Sequence, residues 1–166
     1  MLEVKKMPHV TIEYMIMLPI LILQIILFPL TASWLMNIWV DSRRTLALQD
    51  AASHLASVMQ QAYSSLNHET ISAGTATFSP DLPPYIENHP YTGTATLTAI
   101  LDPAMNSSKL LKITLTLRNV GITVTSSAIL GSNVAWSDST FVSNSTNACV
   151  RAEKFANGTI CLSFGE

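Results

Sequence analysis

The sequence predicts an α+β protein, a long N-terminal transmembrane and amphipathic helix followed by a small antiparallel β-sheet or β-sandwich domain. Three observations predict it. Residues 14–40 contain no Asp, Glu, Lys, Arg or His. Residues 41–68 carry apolar side chains at helical spacing with no Gly or Pro among them. Beyond residue 68 the texture turns to Thr, Ser, Gly and Pro, and apolar residues alternate with polar ones. The composition agrees, because a charged fraction of 12% is about half the roughly 25% usual for soluble domains.

Residues 1–8 form a short charged leader containing Lys5 and Lys6, a candidate for cleavage. It precedes the apolar run as the n-region of a targeting signal does. The run itself is longer than the roughly 7–15 residues of a secretory h-region, so the helix should stay attached. Its twenty-seven residues, at about 1.5 Å each, reach roughly 40 Å and exceed the ~30 Å hydrocarbon core. Trp34 and Trp39, near its outer end, read as an interfacial aromatic anchor. Pro19 and Pro29 each remove an intrahelical hydrogen bond and are expected to bend or locally open the helix.

Asp41, Arg43 and Arg44 mark the interface, and the helical pattern continues past them. Leu48, Ala52, Leu55, Met59, Ala62 and Leu66 are spaced four and three apart by turns, which keeps them on one face. One helix is therefore expected over residues 9–68, about 90 Å long. Its outer half needs something to cover the apolar stripe.

Residues 69–166 are expected to form the β-rich domain. Residues 75–90, with Pro80, Pro83, Pro84 and Pro90, read as a short strand and a stiff loop. Thr92, Thr94, Thr96 and Thr98 alternate with Ala95, Leu97 and Ala99. Ile113, Leu115 and Leu117 alternate with Thr114 and Thr116, and Ile122 and Val124 with Thr123 and Thr125. Such period-two patterning marks half-buried antiparallel strands, about six or seven in all. Turns are expected at residues 102–108, 119–121, 131–133 and 157–158, and the helix stripe is the natural lid for the apolar sheet face.

Cys149 and Cys161 lie twelve positions apart, with Asn157-Gly158 between them. That dipeptide favours tight hairpin turns, so a disulfide between facing strands is expected, in an oxidising compartment. The other reading of the pair is two buried free thiols. Two ligands without a nearby His cluster fall short of the usual four, so no metal site is expected.

The positive-inside count is tied, because Lys5 and Lys6 precede the helix while Arg43 and Arg44 follow it. Three Asn-x-Ser/Thr sequons, at Asn106, Asn144 and Asn157, are candidate glycosylation sites in the later part of the chain. Together with the expected disulfide and the Thr-rich surface they point to a domain outside the membrane and an N-terminus in the cytoplasm. Enzymatic readings find little. The four histidines show no ligand spacing, with His54 and His68 reading as exposed helix residues, and no nucleophile elbow or Gly-rich phosphate loop occurs. No cofactor is expected. Nine scattered Lys and Arg without a basic stripe give no nucleic-acid surface.

Glu13 is the most informative residue. A carboxylate at the mouth of an apolar helix is costly unless it is paired or reaches the interface. It reads either as an interfacial acid favoured by the helix dipole or as a partner for a cation on a neighbouring subunit. The segment His9-Val-Thr-Ile-Glu13-Tyr14-Met-Ile-Met-Leu-Pro19 resembles the N-terminal segment of type IV pilin-like proteins. Val-Thr-Ile-Glu-Tyr is similar to archaeal type IV pilins with class III signal peptides, and Glu-Tyr followed by Leu18-Pro19 resembles the tight-adherence pseudopilins. The resemblance covers about thirty residues, all of them in the helix.

It implies cleavage between Pro8 and His9 by a prepilin peptidase, leaving Glu13 fifth in the mature chain. The family prefers Gly or Ala where this chain has Pro8, and archaeal members often have Gln where it has His9. It also implies a pilin-like fold, passage through the bilayer, a membrane assembly platform, and a cell-surface filament of identical or related subunits with a role in adhesion. Glu13 would neutralise the His9 amine of a neighbour. The competing readings are an uncleaved single-pass membrane-anchored binding domain and a minor or priming pseudopilin.

Overall fold

The computed structural model describes residues 7–99 and 108–165, with side chains within the first helix described from Ile12. The elements in chain order are α1 (Met7–Leu66), β1 (Gly74–Phe78), β2 (Tyr91–Ala99), β3 (Lys109–Leu117), β4 (Thr123–Leu130), β5 (Val134–Trp136), β6 (Thr140–Val142), β7 (Cys149–Lys154) and β8 (Ile160–Gly165). The layout is the expected α+β one. The chain divides into two compact units, the second running from Arg43 to the C-terminus, so the boundary falls inside α1.

In the first unit α1 runs without interruption through Pro19 and Pro29, so of the bend or local opening expected at each proline, the opening does not occur. The loss of the Pro29 amide is local. Close by, the Thr31 hydroxyl bonds to the carbonyls of Leu27 and Phe28 at 3.0 and 2.9 Å, which satisfies a polar side chain within the apolar run. This is one helix long and apolar enough to cross a membrane.

In the second unit the last six turns of α1 pack on two four-stranded sheets, of order β1-β7-β8-β5 and β4-β3-β2-β6. The stripe read from the sequence is the buried face, with Leu48, Ala52, Leu55, Met59, Ala62 and Leu66 all buried. Two longer contacts run from the flanks of the stripe. The Gln49 and Gln60 side-chain amides reach the Thr125 and Ile129 carbonyls of edge strand β4 at 3.4 and 3.5 Å. Those carbonyls would otherwise be open to another strand.

Strand alternation places Tyr91, Ala95, Leu111, Ile113, Leu115, Leu117, Val124 and Ala128 inside the second sheet. Its threonines share the other face, in rows such as Thr92–Thr116–Thr123 and Thr94–Thr114–Thr125. The first sheet contributes Val150, Ala152, Ile160, Leu162 and Phe164 to the same core. Aromatic rings join the two sheets, with Phe141 and Phe164 centroids 5.6 Å apart and Trp136 edge-on to Phe164 at 5.1 Å.

Two features depart from the expectation. There are eight strands among the described residues, because β5 and β6 are three-residue strands too short to show alternation. The β5–β8 ladder is parallel while every other ladder is antiparallel. A parallel neighbour needs a connection of a dozen or more residues, which β6 and β7 supply between β5 and β8. The helix ends at Leu66 rather than residue 68, and His68 lies just past it. There Lys154, from the buried face of β7, donates its ammonium to the His68 carbonyl at 2.8 Å. A cation beside the helix C-terminus offsets its partial negative charge.

Candidate assembly helix and its neighbouring sites

The surface of α1 in the first unit is apolar and uncovered. Twenty large apolar side chains from Ile12 to Trp39 are exposed, among them Tyr14, Phe28, Trp34 and Trp39. At roughly 1.5–3 kcal/mol for each such side chain moved out of water, leaving them wet would cost tens of kcal/mol. That is several times the ~5–15 kcal/mol by which a domain is stable. This surface needs lipid or other helices.

Glu13 lies at the start of that surface, exposed and adjacent to Tyr14. The backbones of Pro8 and His9 lie in α1, while their side chains, residues 1–6 of the leader, and Asn106 lie outside the described residues. Asn144 and Asn157 are exposed in turns. The Asn157 side-chain oxygen accepts the Thr159 amide at 3.0 Å, so the acceptor asparagine and the threonine of that sequon are already folded together.

The cysteines are not joined. Cys149 stands opposite Gly165 and Cys161 opposite Glu153, four places further along the same ladder. At about 3.3 Å per residue the two are more than 10 Å apart, beyond disulfide reach. The reason lies in the turn. Gly158 donates to the Phe155 carbonyl and takes φ 83°, so the tight turn is centred on Ala156 and Asn157 with Gly158 as a left-handed bulge. Opposing Cys149 to Cys161 would need a turn centred on Phe155. The Asn157-Gly158 dipeptide signals the hairpin but not its register. Both cysteines are half-buried thiols on one sheet face, where Cys149 leans against Gly165. Burial and the nearby Glu153 carboxylate push the Cys161 thiol up.

The junction at the end of α1 was not anticipated from sequence. Asn133, in the β4–β5 turn, accepts the Tyr63 hydroxyl at 3.0 Å and donates to Asn67 Oδ1 at 3.1 Å and the Gly158 carbonyl at 3.0 Å. One amide thereby joins the helix end to two turns. A second joint holds the loop after β1: Arg44 pairs with Glu87 at 2.8 Å. Glu87 and Asn88 both adopt positive φ, making a two-residue turn closed by reciprocal Ile86–His89 hydrogen bonds of 2.9 and 3.0 Å. Among the described residues no three His, Cys, Asp or Glu side chains converge on a common point.

Compared with known protein families, with curated proteins and with solved structures, the chain gives no match.

Proposed function

We propose that this chain is a structural subunit of a type IV pilus-like extracellular filament, inserted first in the membrane and then bundled through its N-terminal helix. The observation that carries the reading is the division of α1. Its outer half is sealed against its own sheets, while residues 12–39, in the other unit, carry an exposed apolar surface. A bundle of such helices removes that surface from water and leaves the β domains outward. Glu13 supports assembly over simple anchoring. In a bundle, its carboxylate would meet the new α-amino group at His9 of a neighbouring subunit and set the axial register. A charge pair out of water needs both partners, since an unpaired carboxylate there is costly.

The test is N-terminal sequencing of the protein from membrane and sheared surface fractions, together with a Glu13→Gln strain. A start at His9 in sheared filaments, and membrane-inserted but unassembled Glu13→Gln protein, are the expected results. A start at Met1 confined to membranes would establish an uncleaved anchor. Normal filaments from Glu13→Gln would remove the carboxylate from the mechanism.

A further inference from the structure

Beyond the helix, the β domain contains a polar cleft of about 230 Å³. It opens between residues 79–84, which follow β1, and residues 143–148, which link β6 to β7. Its polar lining comes from Ser79, Asp81, Ser143, Ser145 and Thr146, and Phe141 closes its base. The two walls are tied to each other. Ser143 Oγ donates to the Pro84 carbonyl at 2.8 Å and accepts the Tyr91 amide at 2.9 Å, while the Tyr91 hydroxyl donates to the Pro83 carbonyl at 2.9 Å. With Pro80 and Pro84 stiffening one wall, the cleft is formed before any ligand arrives, which lowers the ordering cost of binding.

The spare hydrogen-bonding groups define the ligand. Ser143 uses its hydroxyl proton and an acceptor position inside the wall. Ser145 Oγ accepts the Asn147 amide at 3.3 Å, which leaves its own proton to donate. Asp81 is exposed on the rim and, when ionised, is an acceptor only. A fitting ligand must therefore donate to a carboxylate and accept from hydroxyls at short range. Anions are repelled by Asp81, and an ammonium donates without accepting. A calcium site takes about 6–8 oxygen ligands, commonly including several carboxylates, and this cleft has one. Vicinal hydroxyls do both jobs. The volume lies below the roughly 300–1,000 Å³ of drug-sized pockets, which suits one sugar ring.

We infer that this cleft binds a single neutral sugar residue, with Asp81 accepting from vicinal hydroxyls and Ser145 and Thr146 donating to them. The cleft lies wholly within the domain, so the inference stands whether or not the subunit assembles into filaments.

The test uses the full chain in a detergent without a sugar headgroup. Saturation-transfer NMR is recorded with D-glucose, D-galactose, D-mannose and N-acetylglucosamine in turn. At least one should bind with Kd on the order of 1–10 mM. Asp81→Asn should weaken that binding about tenfold, as expected for loss of a charged hydrogen-bond acceptor. The melting temperature should not change. Thr146→Val, at an exposed position, should weaken binding by a smaller factor. Absence of transfer to all four sugars would overturn the inference, as would binding that survives both substitutions. Calcium or ethanolamine binding that depends on Asp81 with no sugar binding would overturn it in favour of a cation site.

Discussion

Replacing Asn133 with Ala removes three side-chain hydrogen bonds that join the end of α1, the β4–β5 turn and the β7–β8 hairpin. A net intramolecular hydrogen bond contributes about 0.5–1.5 kcal/mol, and an unsatisfied buried partner costs more. The Asn67 bond is exposed and water will replace much of it. The bonds to Tyr63 and Gly158 are partly buried, so the loss should be about 2–3 kcal/mol. For a unit of about 120 residues this lowers Tm by roughly 10 °C. Asn133→Asp is the sharper test. It keeps an acceptor for Tyr63 but loses both donors and turns a carboxylate toward the Gly158 carbonyl, so it should melt at least as early as Asn133→Ala. Thermal denaturation of the full chain in micelles, followed by near-ultraviolet circular dichroism, reads the effect. If both variants melt within about 2 °C of the parent, the junction is not what holds the helix end to the domain.

Three further outcomes follow from the same structure. Burial pushes the Tyr91 hydroxyl up to about 12 from its ordinary 10.0, and burial raises Tyr63 in the same direction. Between about pH 10 and 12 the unfolded chain gives up the Tyr91 proton first and binds fewer protons than the folded one. Stability must therefore fall as pH rises through that window, by roughly 3 kcal/mol for Tyr91 when complete. In a pH series of melting curves, Tyr91→Phe should flatten part of this decline, and an unchanged slope would refute the assignment. Gly93 sits between Leu115 and Phe141, and an added Cβ would lie 2.6 Å from Leu115 Cδ2. Gly93→Ala should cost about 1–3 kcal/mol by overpacking, and urea unfolding reads this as a lower midpoint. Under denaturing conditions without reductant, Cys149 and Cys161 should both take up a maleimide, and recovery of unmodified oxidised protein by mass spectrometry would contradict the observed register.

The resemblance in the helix and the exposed apolar surface of residues 12–39 are two different kinds of support for the proposed filament assembly. The surface states a physical need, coverage by lipid or helices. Under the proposed assembly Glu13 would distinguish those two coverings, because only a bundle of cleaved subunits would offer its carboxylate the His9 amine of a neighbour. For that reason the processing experiment and the Glu13→Gln strain belong together.

Much of this protein was legible in its sequence because the signals are periodic and local. An uncharged run longer than a bilayer, a 4-3-4 stripe and alternating threonines each report which face of an element is apolar, and burial follows from that alone. The stripe from Leu48 to Leu66 and the core of β2, β3 and β4 were read this way. Register and junctions were not legible. A four-residue shift of the strand pairing leaves composition and alternation almost unchanged, yet it decides that Cys149 faces Gly165 rather than Cys161. The Asn133 junction, the Lys154 contact with His68 and the cleft at Asp81 join residues dozens of positions apart. No local pattern marks them, because the hydrogen bonds exist only after the helix and both sheets have closed on a common core.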